Sequence, residues 1–219
     1  MPAPTPDFFS PSLLLTLVFV ATLVLGLVLK FWLATRQIRH VAQHRQQVPA
    51  RFAPHITLTA HQKAADYTIA KNRFGLLEMA LGAAVLLGWT VLGGLDWLNQ
   101  LLLEAIGPGM PQQVALLASF ALISGLNDLP STLYQTFVLE QRFGFNQTTP
   151  RLWLADLLKS TLLSALIGLP LVALILWLMG SAGTLWWLWA WGLWMGFNVL
   201  LMVIYPTFIA PLFNQFKPL

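Results

Sequence analysis

Residues 160–216 read STLLSALIGLPLVALILWLMGSAGTLWWLWAWGLWMGFNVLLMVIYPTFIAPLFNQF, and none of them is charged. A helix needs about 20 mostly apolar residues to cross the hydrocarbon core of a bilayer. The stretch is far too long for one crossing. Small, turn-forming residues break it at Gly180, Ser181, Ala182, Gly183 and Thr184. Two spans follow, near 157–179 and 185–208. Neither alternates with period two, so both are helices and not strands of a membrane barrel.

Three more charge-free runs lie upstream. They fall between Asp7 and Lys30, between Glu78 and Asp96, and between Glu104 and Asp128. The second extends backward through Phe74. The expected spans are 11–34, 74–98 and 112–136, which makes an all-α integral membrane protein with five transmembrane helices over residues 1–219. Composition excludes the other classes. Of 219 residues, 57% are hydrophobic and 9% charged, against about 25% charged in a soluble domain. Such a chain can neither coat a soluble surface nor stay disordered. It has no cysteine, so disulfides and thiolate metal sites are excluded.

Charge placement predicts orientation. Lys30, Arg36, Arg39, Arg45, Arg51, Lys63, Lys71 and Arg73 lie between spans one and two. Arg142, Arg151 and Lys159 lie between three and four, and Lys217 follows span five. All twelve Lys and Arg then fall on one side, so the N-terminus is expected outside and the C-terminus in the cytoplasm. The basic pI of about 9.8 thus encodes topology and implies no nucleic-acid partner. No positive charge precedes the first run, and basic residues follow it. It reads as an N-out anchor, not a cleaved signal. Five Trp from Trp186 to Trp194 read as an interfacial belt. Gly192 and Gly196 form a GxxxG pair suited to close helix packing, within the chain or with another.

Polar residues give few chemical leads. His40 and His44 have zinc-like i,i+4 spacing, but the position a general-base glutamate would take is Val41, and basic residues surround the pair. A juxtamembrane helix face is the better reading. A helix pattern begins after His55, with Thr59 as its expected N-cap. Asn127, Asp128, Ser131, Thr132, Tyr134, Gln135 and Thr136 form a polar stretch. It faces a cavity or partner at membrane depth, or the helix has already left the bilayer by Asp128. Asp156 and Lys159 share a helix face at i,i+3. No P-loop, dinucleotide fingerprint or GxSxG elbow occurs.

YQTFVLEQRFGFNQTTPRLWLADLLKS, residues 134–160, resembles the consensus region of the type I CAAX prenyl proteases, integral-membrane zinc metallopeptidases. The matching residues are Tyr134, Thr136, Phe137, Val138, Glu140, Gly144, Phe145 and Asn146, followed by Asp156 and Lys159. YPTFIAPLFNQFKPL resembles the segment that leads from the fifth span toward that family's catalytic domain, through Pro206, Ile209, Pro211, Leu212, Phe213, Asn214, Phe216, Pro218 and Leu219. A weaker match is QKAADYTIAKNRFG before span two.

The resemblance covers the N-terminal membrane half. The family's zinc-binding HExxH and downstream glutamate lie beyond the segment where this chain stops, so it transfers no catalytic residue and no metal ligand. It implies five helices of a larger barrel around a water-filled chamber. Asn127, Asp128, Tyr134, Thr136 and Asn198 would line or support that chamber, and 206–219 would lead to the active site. Glu140, Asp156 and Lys159 would be structural supports, with Glu140→Gln lowering folded yield more than zinc content. Zinc is expected in the intact parent and not on this chain. A reading frame continuing past Leu219 is expected to encode HExxH. The implied partners are the bilayer, the missing catalytic half, and peptide or lipidated-protein substrates. The implied location is a bacterial inner membrane, with membrane-protein quality control as the role, or the endoplasmic reticulum in a eukaryote. Two competing readings are a non-catalytic membrane scaffold or regulator and a small transporter subunit. The absence of repeats and of mid-span charges argues against the transporter.

Overall fold

The computed structural model describes residues 10–213. Six long helices appear among them, and no strand. Helix α1 spans Pro11–Gln43. Ser10 caps it, its hydroxyl accepting from the Leu13 N–H at 3.3 Å, and Pro11 fills the first position, where no backbone donor is needed. Helix α2 spans Leu58–Thr90. Its cap is Thr57, which accepts from the Ala60 N–H at 3.2 Å, and not the expected Thr59, whose hydroxyl pairs with that of Thr57 at 3.0 Å. Each of these 33-residue helices is about 50 Å long at 1.5 Å per residue. The hydrocarbon core is about 30 Å. The basic end of α1 and the basic start of α2 therefore extend beyond it.

The expected second span, 74–98, is interrupted. α2 ends at Thr90, and helix α3 occupies Gly94–Ile106. Gly93 takes the left-handed conformation at φ 79°, and a Cβ on Gly94 would sit 2.8 Å from the Gly88 carbonyl oxygen. Only glycine fits that turn. The 13 residues of α3 reach about 20 Å, too short to cross. Helix α4 spans Met110–Tyr134 and includes Pro130. A π-helical segment, Gln135–Glu140, and a short turn, Gln141–Phe143, continue it. Helix α5 spans Pro150–Ser181, capped by Thr149, and helix α6 spans Trp186–Ile204. A second π segment follows at Tyr205–Ile209, then Ala210–Phe213. Five of these helical stretches are long and apolar enough to cross a membrane.

The chain divides into two compact units. In the first, α1 and α2 form a helical hairpin, and residues Asp128–Asn146 from the end of α4 belong to it. In the second, α5 and α6 pack together, and the buried Gln112 at the start of α4 donates to Asn99 of α3 at 2.7 Å. Apolar side chains are largely uncovered. Leu162 is 72% exposed and Met202 81%. In water each large aliphatic left exposed forgoes about 1.5–3 kcal/mol of burial. These helices belong in lipid or against other polypeptide.

Candidate functional site

The polar and aromatic residues singled out from 134 to 146 converge on one corner of the first unit. Pro130 cannot donate a backbone hydrogen bond, and the helix widens into its π segment five residues later. The helix then stops sharply. Gly144 adopts φ 76°, its N–H bonds to the Gln141 carbonyl at 3.1 Å, and the Phe145 N–H bonds to the Glu140 carbonyl at 2.9 Å. This pair of bonds is a Schellman cap. The Asn146 side-chain amide donates to Gln141 Oε1 at 2.9 Å and holds the exiting chain back against the turn.

The reversal presents two phenylalanines to α2. Phe143 is buried, and its ring meets the edge of Tyr67 with centroids 5.3 Å apart. Phe145 meets the same tyrosine at 4.8 Å. Both pairs are edge-to-face, the arrangement favoured by ring quadrupoles. Tyr134 stacks obliquely on Phe74 of α2 at 4.8 Å. The Nζ atoms of Lys63 and Lys71 lie 5.9 Å and 5.7 Å from the ring centroids of Phe145 and Tyr67. Next to Tyr67 in sequence, Asp66 receives both nitrogens of an Arg45 fork at 2.7 Å each. The hydrogen bonds and charge of Asp66 hold the Arg45 guanidinium above its ordinary pKa, so it stays charged. His61 Nε2 at the His44 carbonyl, 3.1 Å away, adds a second tie across the hairpin.

The other candidates are not gathered there. Asn127 and Asp128 are exposed on α4, and the Asp128 carbonyl accepts from Thr132. Thr136 lies half-buried in the π segment. The Glu140 carboxylate makes no hydrogen bond or ion pair among the described residues, whereas its carbonyl receives the capping bond. Asp156, half-buried, and Lys159, exposed, approach to 3.6 Å on α5. Asn198 lies exposed on α6 and donates to the Trp194 carbonyl at 2.8 Å. Pro206 sits inside the second π segment, and Pro211 and Phe213 fall in the short helix after it. Asn214, with Phe216, Pro218 and Leu219, lies outside the described residues.

Tyr67, Phe143, Asp66 and Arg45 were not picked out from sequence as one cluster. The only signal was the weak match at 62–75, which contains the tyrosine and the aspartate. His40 and His44 stack with centroids 4.3 Å apart, and the Nδ1 of His44 is taken by the His40 carbonyl at 2.8 Å. Among the described residues no three His, Cys, Asp or Glu side chains could hold a metal ion. The donors present do not fit zinc. What this corner can do is fix the exit of α4 on the start of α2.

Comparison with known proteins places this architecture. A family model described as CAAX prenyl protease N-terminal, five membrane helices, matches residues 37–215. A CAAX prenyl protease 1 homolog of Oryza sativa subsp. japonica is 32% identical over 192 residues, 82% of this chain and 45% of the rice protein. The homolog of Mus musculus is 31% identical over 216 residues, 92% of this chain and 44% of the mouse protein. The crystal structure of S. mikatae Ste24p is similar at a TM-score of 0.83 and 28% identity, covering 93% of this chain and 48% of that one. The chain thus spans about half the length of the relatives it matches.

Proposed function

The chain belongs to the CAAX prenyl protease N-terminal family of five membrane helices, and from that premise we propose that it is the membrane half of a zinc metalloendopeptidase. Its helices form part of a chamber wall, and its last segment leads toward the active site. The basic end of α1, the basic start of α2 and the 134–159 region face the cytoplasm, an orientation supported by the lack of Lys and Arg in the opposite loops. Residues of another segment hold the zinc and cleave prenylated or membrane-associated peptides. Asn127, Asp128, Thr136 and Asn198 contribute polar wall, while Tyr134, Glu140, Gly144, Phe145 and Asn146 hold the wall's geometry.

The observation that carries this reading is the convergence of the 134–146 motif on Tyr67 within a matched five-helix domain. Motif residues spent on a cap and an aromatic contact are supports. The chemistry must then come from elsewhere in the assembly. The test is to purify the polypeptide carrying this sequence from its native membrane and measure its mass, its zinc and its cleavage of a farnesylated CAAX peptide. The expected result is a mass well above 24.4 kDa, or a co-purifying HExxH-bearing chain, with one zinc and peptide cleavage. A 24.4 kDa protein with no such partner, no zinc and no cleavage refutes the proposal.

A further inference from the structure

The end of α1 carries a site that the protease reading leaves unused. A widely open recess of about 830 Å³ adjoins it, bordered among the described residues by α1 alone over more than half the helix's circumference, including Trp32, Leu33, Arg36, Arg39 and His40. The depth of this face in a membrane follows from the sequence. The charge-free part of α1, residues 11–29, is about 28 Å long. That matches a hydrocarbon core of about 30 Å, so Lys30 marks its edge. Trp32 then stands about 3 Å beyond the edge and Arg36 about 9 Å. The headgroup layer is about 5–8 Å deep on each side.

Helical side chains lean toward the helix N-terminus. On α1 that direction is back toward the bilayer. The Arg36 guanidinium follows it, lying 5.8 Å from the centroid of the Trp32 ring one turn below. Its charge is thereby brought down to headgroup level. Neither Arg36 nor Arg39 has an ion-pair partner among the described residues, whereas Arg45 is bound by Asp66. Among the described residues no carboxylate lines the recess. Below it, Leu25 and Leu29 continue the face of Trp32 and Arg36 at helical spacing, 60% and 50% exposed. One forked charge, Arg36, therefore sits directly above an aromatic ring and an open aliphatic stripe, with Arg39 about 4.5 Å farther along the same side of the helix. Arg forks suit phosphate oxygens, and the stripe suits an acyl chain.

We propose that this face of α1 binds one anionic phospholipid of the adjacent leaflet, its phosphate on Arg36 and Arg39 and its chain along Leu29 and Leu25. The aliphatic stripe is what favours a lipid over a soluble phosphate.

Native mass spectrometry of the full chain in detergent tests this, with phosphatidylglycerol or phosphatidylcholine added. The expected result is preferential retention of one phosphatidylglycerol. Replacing both arginines, R36Q/R39Q, weakens that retention about 30-fold, at the usual contribution of each basic side chain near an anionic surface. R51Q, which removes an exposed charge outside the recess, leaves it unchanged. R36K/R39K keeps the charge without the fork and falls between the wild type and the Gln pair. Equal retention of the two lipids overturns the proposal, as does an equal loss in R51Q. A Lys pair as weak as the Gln pair removes the charge argument. Displacement of the lipid by millimolar inorganic phosphate makes this a free-phosphate site instead.

Discussion

Gly144 is the position at which the corner can be broken most cleanly. Its φ of 76° lies in the left-handed region, which costs an L-residue about 1–2 kcal/mol. Sterics add little, because a Cβ there would meet only the tip of Lys63, at 3.7 Å, an ordinary contact with a mobile group. The whole cost of Gly144→Ala is therefore backbone strain in the cap, about 1–2 kcal/mol. In a chain of this length that lowers Tm by about 2–8 °C. Gly144→Asn adds a larger side chain but tolerates the left-handed region better. The expected order of thermal midpoints in detergent is wild type, then Asn, then Ala. A steric effect would put Asn lowest. Ala melting with wild type, or above Asn, refutes the strain argument, because it would mean that the segment after Phe143 leaves the helix without the Schellman bonds.

Four further substitutions probe this corner and α6. Phe143→Ala removes a buried ring and is expected to cost about 3–5 kcal/mol, whereas Phe145→Ala, at a ring 55% exposed, costs about 1 kcal/mol, most of which disappears when Tyr67 is also Ala; chemical denaturation of the four variants in detergent measures both. Sequence alone predicts a loss of folded yield for Glu140→Gln, but the carboxylate has no partner among the described residues and the substitution keeps the carbonyl that receives the Phe145 N–H, so the melting temperature of this half is expected to stay unchanged. A drop would show that the carboxylate has a structural partner. Asn198→Leu is expected to preserve folded yield but reduce peptide cleavage in the intact protein, and a variant of full activity would remove Asn198 from the chamber wall.

Spans were legible because charges are excluded from hydrocarbon, so runs such as 160–216 announce themselves. Helix ends were less so, because hydropathy marks only where a helix meets lipid. α2 begins at Leu58, in a region with Lys63, Asp66, Lys71 and Arg73 that no apolar run could reveal. Its true cap, Thr57, stood two residues from the expected one in a stretch with two threonines, and only the backbone angles decide which hydroxyl faces the free N–H groups. The break at Gly93–Gly94 did have a local signal, since a glycine pair marks a turn. The apolar run passes straight through it, and hydropathy is blind to φ. For the site, Gly144 and Asn146 were readable as a motif, but the motif carries no information about its counterpart. Tyr67 sits far away in sequence, and only tertiary packing brings it between Phe143 and Phe145.

Exposure on α6 separates two kinds of surroundings. Val199 and Val203, about 100° and 140° around the helix from Asn198, are 62% and 66% exposed, and lipid tails cover such groups as well as protein does. Asn198 is different. One of its amide hydrogens is spent on the Trp194 carbonyl, and its Oδ1 has no partner among the described residues. Leaving such an acceptor in hydrocarbon costs about 1–3 kcal/mol by the measure of protein mutations. Polar side chains inside membranes accordingly turn toward cavities or partners. Asn198 lies in the middle of the helix, too far from either end to reach water along it. A bilayer alone is therefore a poor solvent for that side of α6, while it suits Leu162 and Leu166 on α5 well. The asymmetry is what a wall between lipid and a wet interior requires, and it is the physical reason to place α6, more than α5, against the polypeptide or water that completes the proposed chamber.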